Sequence, residues 1–544
     1  MSTPEPTSAD EASVQAASDA SDAAKSPRRP RRRVRRSVRV PPDPRGPIAV
    51  LIAVAVLVGI IAITSALPRQ STAALPPPIV EPVATTTLVC PEPGGTDDAV
   101  ITSALTSVPG LLGQDVPGTV TLGYLDRPDE TVTADPQTGV RQPGDSAQVV
   151  DSDGRQRPLV VRADEGLAPG LVAGSYDLAL GGPKRGLAML NCPAPAPTWW
   201  FAGGGSTAGR SSTLYLVNPE TTDAEVDIDI AGPEGLVSTP SLRGVIVPAL
   251  SRQSVRLTAV APQLPAAVWN VQVRTGRIVA SLIDIDAEGF IQQGIDWVPP
   301  AADPATKVWL PGVLGTVGNR QLIIYTPGDT DAEIGLRILT ADGAFTPVEL
   351  DTIQAPAGVV TTVNLASVLN GVSATVELTS QVPIVAGMRQ QHPGIDASGT
   401  QARIEVSYAA GATRLSSLAS AAGLPAVRGT ESVVWLTAPR PANTDDTGTL
   451  VEVRILPFPA QAQTPDPLNV FVAFDRSIPV NLPRPEGATW MTVAVNPTDH
   501  PVYAAQTSLR RGSRGSLISG YPLTALRTTV TIPTATQSVS LSLP

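Results

Sequence analysis

The sequence predicts an all-β protein: tandem immunoglobulin-like β-sandwich repeats following one N-terminal transmembrane helix. Three observations carry that expectation. The first is composition. With 56 Pro and 46 Gly in 544 residues, long helices are disfavoured, because Pro removes a backbone donor and Gly has more entropy to lose. The second is a repeat: TLYLVNPETTDAEVDI from Thr213 returns as QLIIYTPGDTDAEIGL from Gln321, 108 positions later. The third is the period of that repeat. Val226, Ile228 and Ile230 meet Ile334, Leu336 and Ile338, while Asp227 and Asp229 become Gly335 and Arg337. Apolar character kept at every second position is the pattern of a strand with one face on a core.

The charged fraction of 16% and hydrophobic fraction of 42% exclude wholesale disorder. The net charge of −10 hides a basic start, since residues 1–46 hold ten Lys or Arg against six Asp or Glu. The remaining acidic body makes nucleic acid a poor partner, because phosphates repel it.

From the N-terminus, residues 1–46 read as a disordered cytoplasmic tail, Arg-rich at its end, with too few apolar residues to offset ordering. Residues 47–67 follow as a transmembrane helix, with twenty uncharged residues from Ile48 to Leu67. That length matches a bilayer core of about 30 Å. The Arg run before it places the N-terminus in the cytoplasm and the rest outside, as a single-pass plasma-membrane protein. Residues 68–89 read as a Pro-rich stalk.

Cys90 and Cys192 are the only cysteines, in the matching settings LVCPEP and LNCPAP. An exported compartment favours their pairing as a disulfide around a β module of residues 90–192. β-sandwich repeat 1 spans 197–300 and repeat 2 spans 305–395. Residues 396–430 read as a connecting segment, with GATRLSSLASAAGLPA a short helix or loop. Repeat 3 spans 431–544. About seven short strands per repeat suit the immunoglobulin-like sandwich; the alternative is a β-propeller with two four-stranded blades per repeat.

Catalytic chemistry is not legible. His392 and His500, the two histidines, each precede Pro and read as turn residues, and no nucleophile motif accompanies them. DIDAEGFIQQGI from Asp284 has acids at positions 1, 3 and 5 but Ile295 at position 12, so an exposed loop is expected rather than a calcium site. GGGSTAGRSS lacks the GK[ST] of a phosphate loop and reads as a hairpin connection. No cofactor, metal or catalytic residue is assigned, and an enzyme is not indicated beyond a carboxylate-only hydrolase. Trp199 and Trp200 are the candidates for exposed binding, because adjacent strand residues point to opposite faces.

The Arg run, the single apolar helix, the CP…CP pair and the NP turn followed by A-x-V strands resemble the actinobacterial, membrane-anchored envelope family DUF5719. The resemblance covers most of residues 48–544 and implies location and architecture. The third repeat departs from it, with ILPFPAQAQTPDP where the NP turn would fall. The expected function is an extracytoplasmic cell-envelope scaffold or protein-binding module, a rod of sandwiches contacting another envelope protein. The alternative is a glycan-binding accessory of cell-wall polymer assembly.

Overall fold

The computed structural model describes residues 46–66, 78–91, 100–110, 116–125, 140–151, 157–180, 185–395, 401–512 and 515–532. The chain divides into two compact units, residues 1–76 and 77–544. In the first, a helix runs from Gly46 to Ala66. Among the described residues no helix is long and apolar enough to cross a membrane. The transmembrane segment, and the single-pass plasma-membrane localisation built on it, are corrected accordingly. The Arg-rich tail to residue 45 lies outside the described residues.

Among the described residues the chain is all-β, strands far outweighing helix. A short strand, β1 (Ile79–Pro82), precedes four sets of strands. The first set is β2 (Thr85–Cys90), β3 (Val100–Ser107), β4 (Gly118–Tyr124), β5 (Ser146–Asp151), β6 (Leu159–Glu165), β7 (Leu171–Ala179) and β8 (Gly186–Asn191). The second is β9 (Thr198–Ala202), β10 (Arg210–Asn218), β11 (Ala224–Gly232), β12 (Ser251–Arg256), β13 (Val268–Thr275), β14 (Val279–Glu288) and β15 (Ile291–Val298). The third is β16 (Ala305–Val313), β17 (Arg320–Tyr325), β18 (Ala332–Leu339), β19 (Val360–Asn364), β20 (Ala374–Ile395) and β21 (Gln401–Ala410). The fourth is β22 (Ala419–Pro425), β23 (Thr430–Thr437), β24 (Gly448–Phe458), β25 (Ser477–Asn481), β26 (Trp490–Pro497), β27 (Tyr503–Arg510) and β28 (Leu517–Pro522). β29 (Thr529–Ile532) pairs antiparallel with β1.

Setting aside the added edge strands Gly235–Leu236, Val245–Val247, Ala344–Phe345, Thr352–Ala355, Leu468–Ala473 and Thr524–Ala525, one pairing order recurs in all four sets. The third strand pairs with the fifth and the fifth with the first; the fourth pairs with the second, the second with the sixth and the sixth with the seventh. In the third set β20 serves as both fifth and sixth strand, pairing β18 and β16 through its first half and β17 and β21 through its second. The immunoglobulin order instead joins the second strand to the first and fifth, so the immunoglobulin-like reading is corrected. Propeller blades are meanders of consecutive strands, which these sheets are not, and no propeller or barrel closure is found among the described residues.

The two sheets of a set share a core. In the second set Leu214, Leu216, Val226, Ile228 and Ile230 are fully buried together with Phe201, Trp269 and Val271. These are the alternate apolar positions of the repeated stretch, all on one face because side chains alternate along a strand. Burying one such side chain contributes roughly 1.5–3 kcal/mol. The opposite faces are not left to water. Tyr215 packs edge-on against Trp297, ring centroids 6.3 Å apart, and Ala202 and Val268 share a cluster with Ile323 and Val385 of the next set.

Three boundaries read from sequence change. The stalk of residues 68–89 holds strand β1 and most of β2, which pairs with β6. Residues 67–77 lie outside the described residues. The connecting segment 396–430 contains β21, the last strand of the third set, and β22, the first of the fourth. GATRLSSLASAAGLPA is therefore neither helix nor plain loop. Facing glycines let β22 lie close to β7: a Cβ on Gly174 of β7 would sit 2.0 Å from the Ala422 carbonyl oxygen, and one on Gly423 of β22 would sit 2.9 Å from the Gly174 carbonyl oxygen. The segment between the cysteines shows no repeat in sequence, yet has the same pairing order as the three copies.

The sets do not follow one another as a rod. Their seventh strands pack in a cycle: β8 on β15, β15 on β21, β21 on β28 and β28 on β8. Buried polar side chains link them there. The Met189 amide of β8 donates to Ser519 Oγ of β28 at 2.9 Å, and Ser519 Oγ donates to Asp296 Oδ1 of β15 at 2.7 Å. The Ile295 amide of β15 donates to Glu405 Oε1 of β21 at 3.2 Å. Asp296 Oδ2 and Glu405 Oε2 are buried with no hydrogen-bond partner among the described residues. Burial raises both carboxyls, Asp296 well above its ordinary range and Glu405 to about 8. Uncharged carboxyls are what such a dry position tolerates.

Candidate functional site

The sheet β11-β13-β9 turns one face to its core and the other outward. On the outward face Asp229 stands across from Asn270, and Asn270 across from Trp200. Directly opposed residues hold their Cβ atoms roughly 4.5–5.5 Å apart, so carboxylate, amide and indole form one row. Gln272 lies two residues further along β13 on the same face. Tyr325 arrives from β17 of the next set, its ring centroid 6.2 Å from that of Trp200 and tilted by 36°. These five residues line a groove of about 230 Å³, with Val268, Leu236 and Pro327 among its apolar walls.

The polar groups are held in place from behind. The Arg243 guanidinium pairs with Asp229. Gln272 Nε2 donates to Asn270 Oδ1 at 2.7 Å, and Asn270 Nδ2 donates to the Trp199 carbonyl at 3.4 Å. Burial and then the nearby Asp229 raise the Tyr325 hydroxyl, so it stays protonated. Trp200 is half-buried. Neither its indole N–H nor the Tyr325 hydroxyl has a hydrogen-bond partner shown among the described residues. The groove thus offers an aromatic face, the exposed Gln272 amide resting on the buried Asn270, and a neutralised carboxylate.

Of the two tryptophans singled out from sequence, only Trp200 is in the groove. Trp199 is corrected: it is buried at 7% exposure, pointing into the core, where its Nε1 donates to the Ile278 carbonyl at 3.2 Å. Alternation along β9 imposes that split. The equivalent row in the third set is Trp309, Glu377 and Arg337. There Arg337 Nη1 donates to Glu377 at 2.6 Å, and Trp309, 3% exposed, is stacked on Tyr503 at 5.1 Å and 11°. The same position is sealed in one set and open in the other.

A second polar cluster lies behind the Gly-rich loop. Asp284 is not in an exposed loop but on β14, where Arg210 Nε donates to both of its oxygens at 3.2 and 3.0 Å. Ser212 and Tyr408 donate to Asp284 as well, and Arg389 pairs with Asp286. Burial would raise Asp284, but Arg210 and Arg389 outweigh it and hold the carboxyl below its usual range. Gly205 must lack a side chain, since a Cβ there would lie 2.5 Å from Arg210 Nη1. In the third set Arg320 occupies the corresponding loop and donates instead to the carbonyls of Leu314, Asn319 and Gln391. Both loops wrap a buried arginine. Two arginines against two carboxylates make the first cluster a clamp between sets. Among the described residues no group of three or more His, Cys, Asp or Glu could hold a metal.

His392 is not a turn residue. It lies on β20, buried, with Thr316 Oγ1 at 2.6 Å and Ser407 Oγ at 2.8 Å, and burial lowers its pKa to about 3. His500 does sit in a bend, its Nε2 2.8 Å from Asp446. Cys90, on the first strand of its set, and Cys192, just past the seventh, are joined as a disulfide.

Sequence reasoning missed Asp229, Asn270, Gln272 and Tyr325. Asp229 and Asn270 occupy the non-core phase of their strands, but their meeting depends on register, and Tyr325 depends on how two sets pack.

Fold and groove define an all-β protein of four equivalent two-sheet sets with an aromatic-polar groove at its surface. The chain belongs to the family of unknown function DUF5719, which it matches over residues 141–483. That span is narrower than the sequence suggested, and begins inside the first set. No curated protein matches the chain. Among solved structures it is similar to a "Biofilm associated protein - BSP domain", at 8% identity and a TM-score of 0.14 over 87% of this chain and 100% of that one. At that score the likeness carries no argument.

Proposed function

We propose that the chain is an extracytoplasmic scaffold and binding module, in which each pair of sheets is one structural module. The observation that carries this reading is the reuse of one strand order four times, with the seventh strands joined by buried hydrogen bonds. A fold that spends its buried polar groups on joining modules leaves recognition to its surface. The disulfide suits an oxidising compartment. The partner in this reading is another envelope protein. Crosslinking in cells followed by affinity recovery of the full chain tests it: a reproducible envelope partner supports the reading, and recovery of the chain alone counts against it.

A glycan-binding role in cell-wall polymer assembly is the second reading. It is favoured by the open row of Asp229, Asn270 and Trp200, where the equivalent row of the next set is closed.

A further inference from the structure

We infer that the groove between Trp200 and Tyr325 is a subsite for one neutral hexopyranose ring of a glycan, a step that rests on the binding-module reading. Three features point to that ligand class. A pyranose has an apolar C–H face and a hydroxyl edge, and a half-buried indole beside a second aromatic offers the matching flat surface. The row running from Trp200 through Asn270 to Asp229 then meets the hydroxyl edge with an amide and a carboxylate. Gln272 is exposed and held by its hydrogen bond to the buried Asn270, so it presents an oriented amide at little entropic cost.

Charge selects a neutral sugar. The Arg243 guanidinium already neutralises Asp229, and among the described residues no other charged side chain lines the groove. Size selects a single ring. At about 230 Å³ the groove is smaller than the roughly 300–1,000 Å³ of a site that encloses a whole small molecule, so a longer glycan would leave at both ends.

The third set argues that the opening is not a packing accident of the strand position. Trp309 occupies the place of Trp200, and there Tyr503 covers the indole face while Arg337 takes up the carboxylate. The second set has the same tryptophan, half-buried beside a tilted Tyr325 ring rather than stacked under one, and has Asn270 and the Arg243-paired Asp229 where the third set has Glu377 and Arg337.

The test is titration of the full chain with cellotetraose, mannotetraose and galactotetraose, followed by calorimetry and tryptophan fluorescence. At least one is expected to bind. Trp200→Ala should weaken it about tenfold or more, as for a central aromatic contact, and Gln272→Ala by about threefold, the worth of one hydrogen bond. Gln272 is exposed, so its variant remains informative should Trp200→Ala fail to fold. Absence of binding for all three sugars to the folded wild type overturns the assignment. So does binding that is unchanged in both variants. An envelope protein still recovered by crosslinking in that event would leave the scaffold reading standing and remove only the sugar.

Discussion

Ser519 Oγ donates a 2.7 Å hydrogen bond to Asp296 Oδ1 across 223 positions of sequence. The same hydroxyl accepts from the Met189 amide, so one serine joins the seventh strands of the first, second and fourth sets. Replacing it by Ala leaves the Met189 amide and one Asp296 oxygen buried without that partner. Ser519→Ala should lower unfolding stability by about 1–3 kcal/mol, read by urea denaturation. An unchanged midpoint would show that the centre is held by apolar packing alone.

Glu405 gives the fold a basic limit. Its carboxyl has a pKa of about 8 when folded against 4.5 ordinarily, so between those values the folded chain binds more protons than the unfolded one. Its contribution is present below about pH 4.5 and lost as the pH rises through 8. Glu405→Gln removes the titrating group. It should raise Tm at pH 8 relative to wild type and change it little at pH 5. Equal shifts at both pH values would contradict the buried, protonated state.

His392 acts with the opposite sign. Burial holds its pKa near 3 when folded against 6.5 ordinarily, so the unfolded chain takes up a proton that the folded one refuses. Stability from this group is lost as the pH falls from 6.5 towards 3. The imidazole should remain neutral in NMR spectra from pH 5 to 8. A titration midpoint near 6.5 would place it in water instead.

Asp284→Ala would leave Arg210 and Arg389 facing each other in a buried position, with only Asp286 as counter-charge. Breaking such a buried pair costs about 3–5 kcal/mol. Denaturation in urea should show a loss of that size. A loss below about 1 kcal/mol, as for surface pairs, would mean that water reaches the cluster.

Reducing Cys90–Cys192 opens a loop with a sequence separation of 102. Loops of that length contribute at most about 4.7 kcal/mol by chain entropy. Reductant should lower the melting transition of the first set, and resistance to reductant would show that packing against neighbouring sets carries it.

The sequence disclosed the apolar phase of the strands because Val226, Ile228 and Ile230 face a core and recur in a second copy. Cys90 and Cys192 were legible as the chain's two thiols in matched settings. The strand order was not, since alternation says which face is buried but not which strand is neighbour. The helix at Gly46–Ala66 was legible as a helix, whereas its passage through a membrane was an inference from hydropathy, and among the described residues no helix is long and apolar enough to cross one. The first set escaped notice because the same pairing is built there from different residues. That one of Trp199 and Trp200 turns away from the core was legible because adjacent strand residues part to opposite faces, but Asn270 and Tyr325 belong to strands whose neighbours are fixed only by folding.

Small-angle scattering on residues 77–544 tests the arrangement most directly. Four sets gathered around their seventh strands should give a radius of gyration of about 23 Å, the value for a compact chain of that length. A linear string of four such sets, as the repeat alone suggested, would give roughly 40 Å and would contradict the central packing.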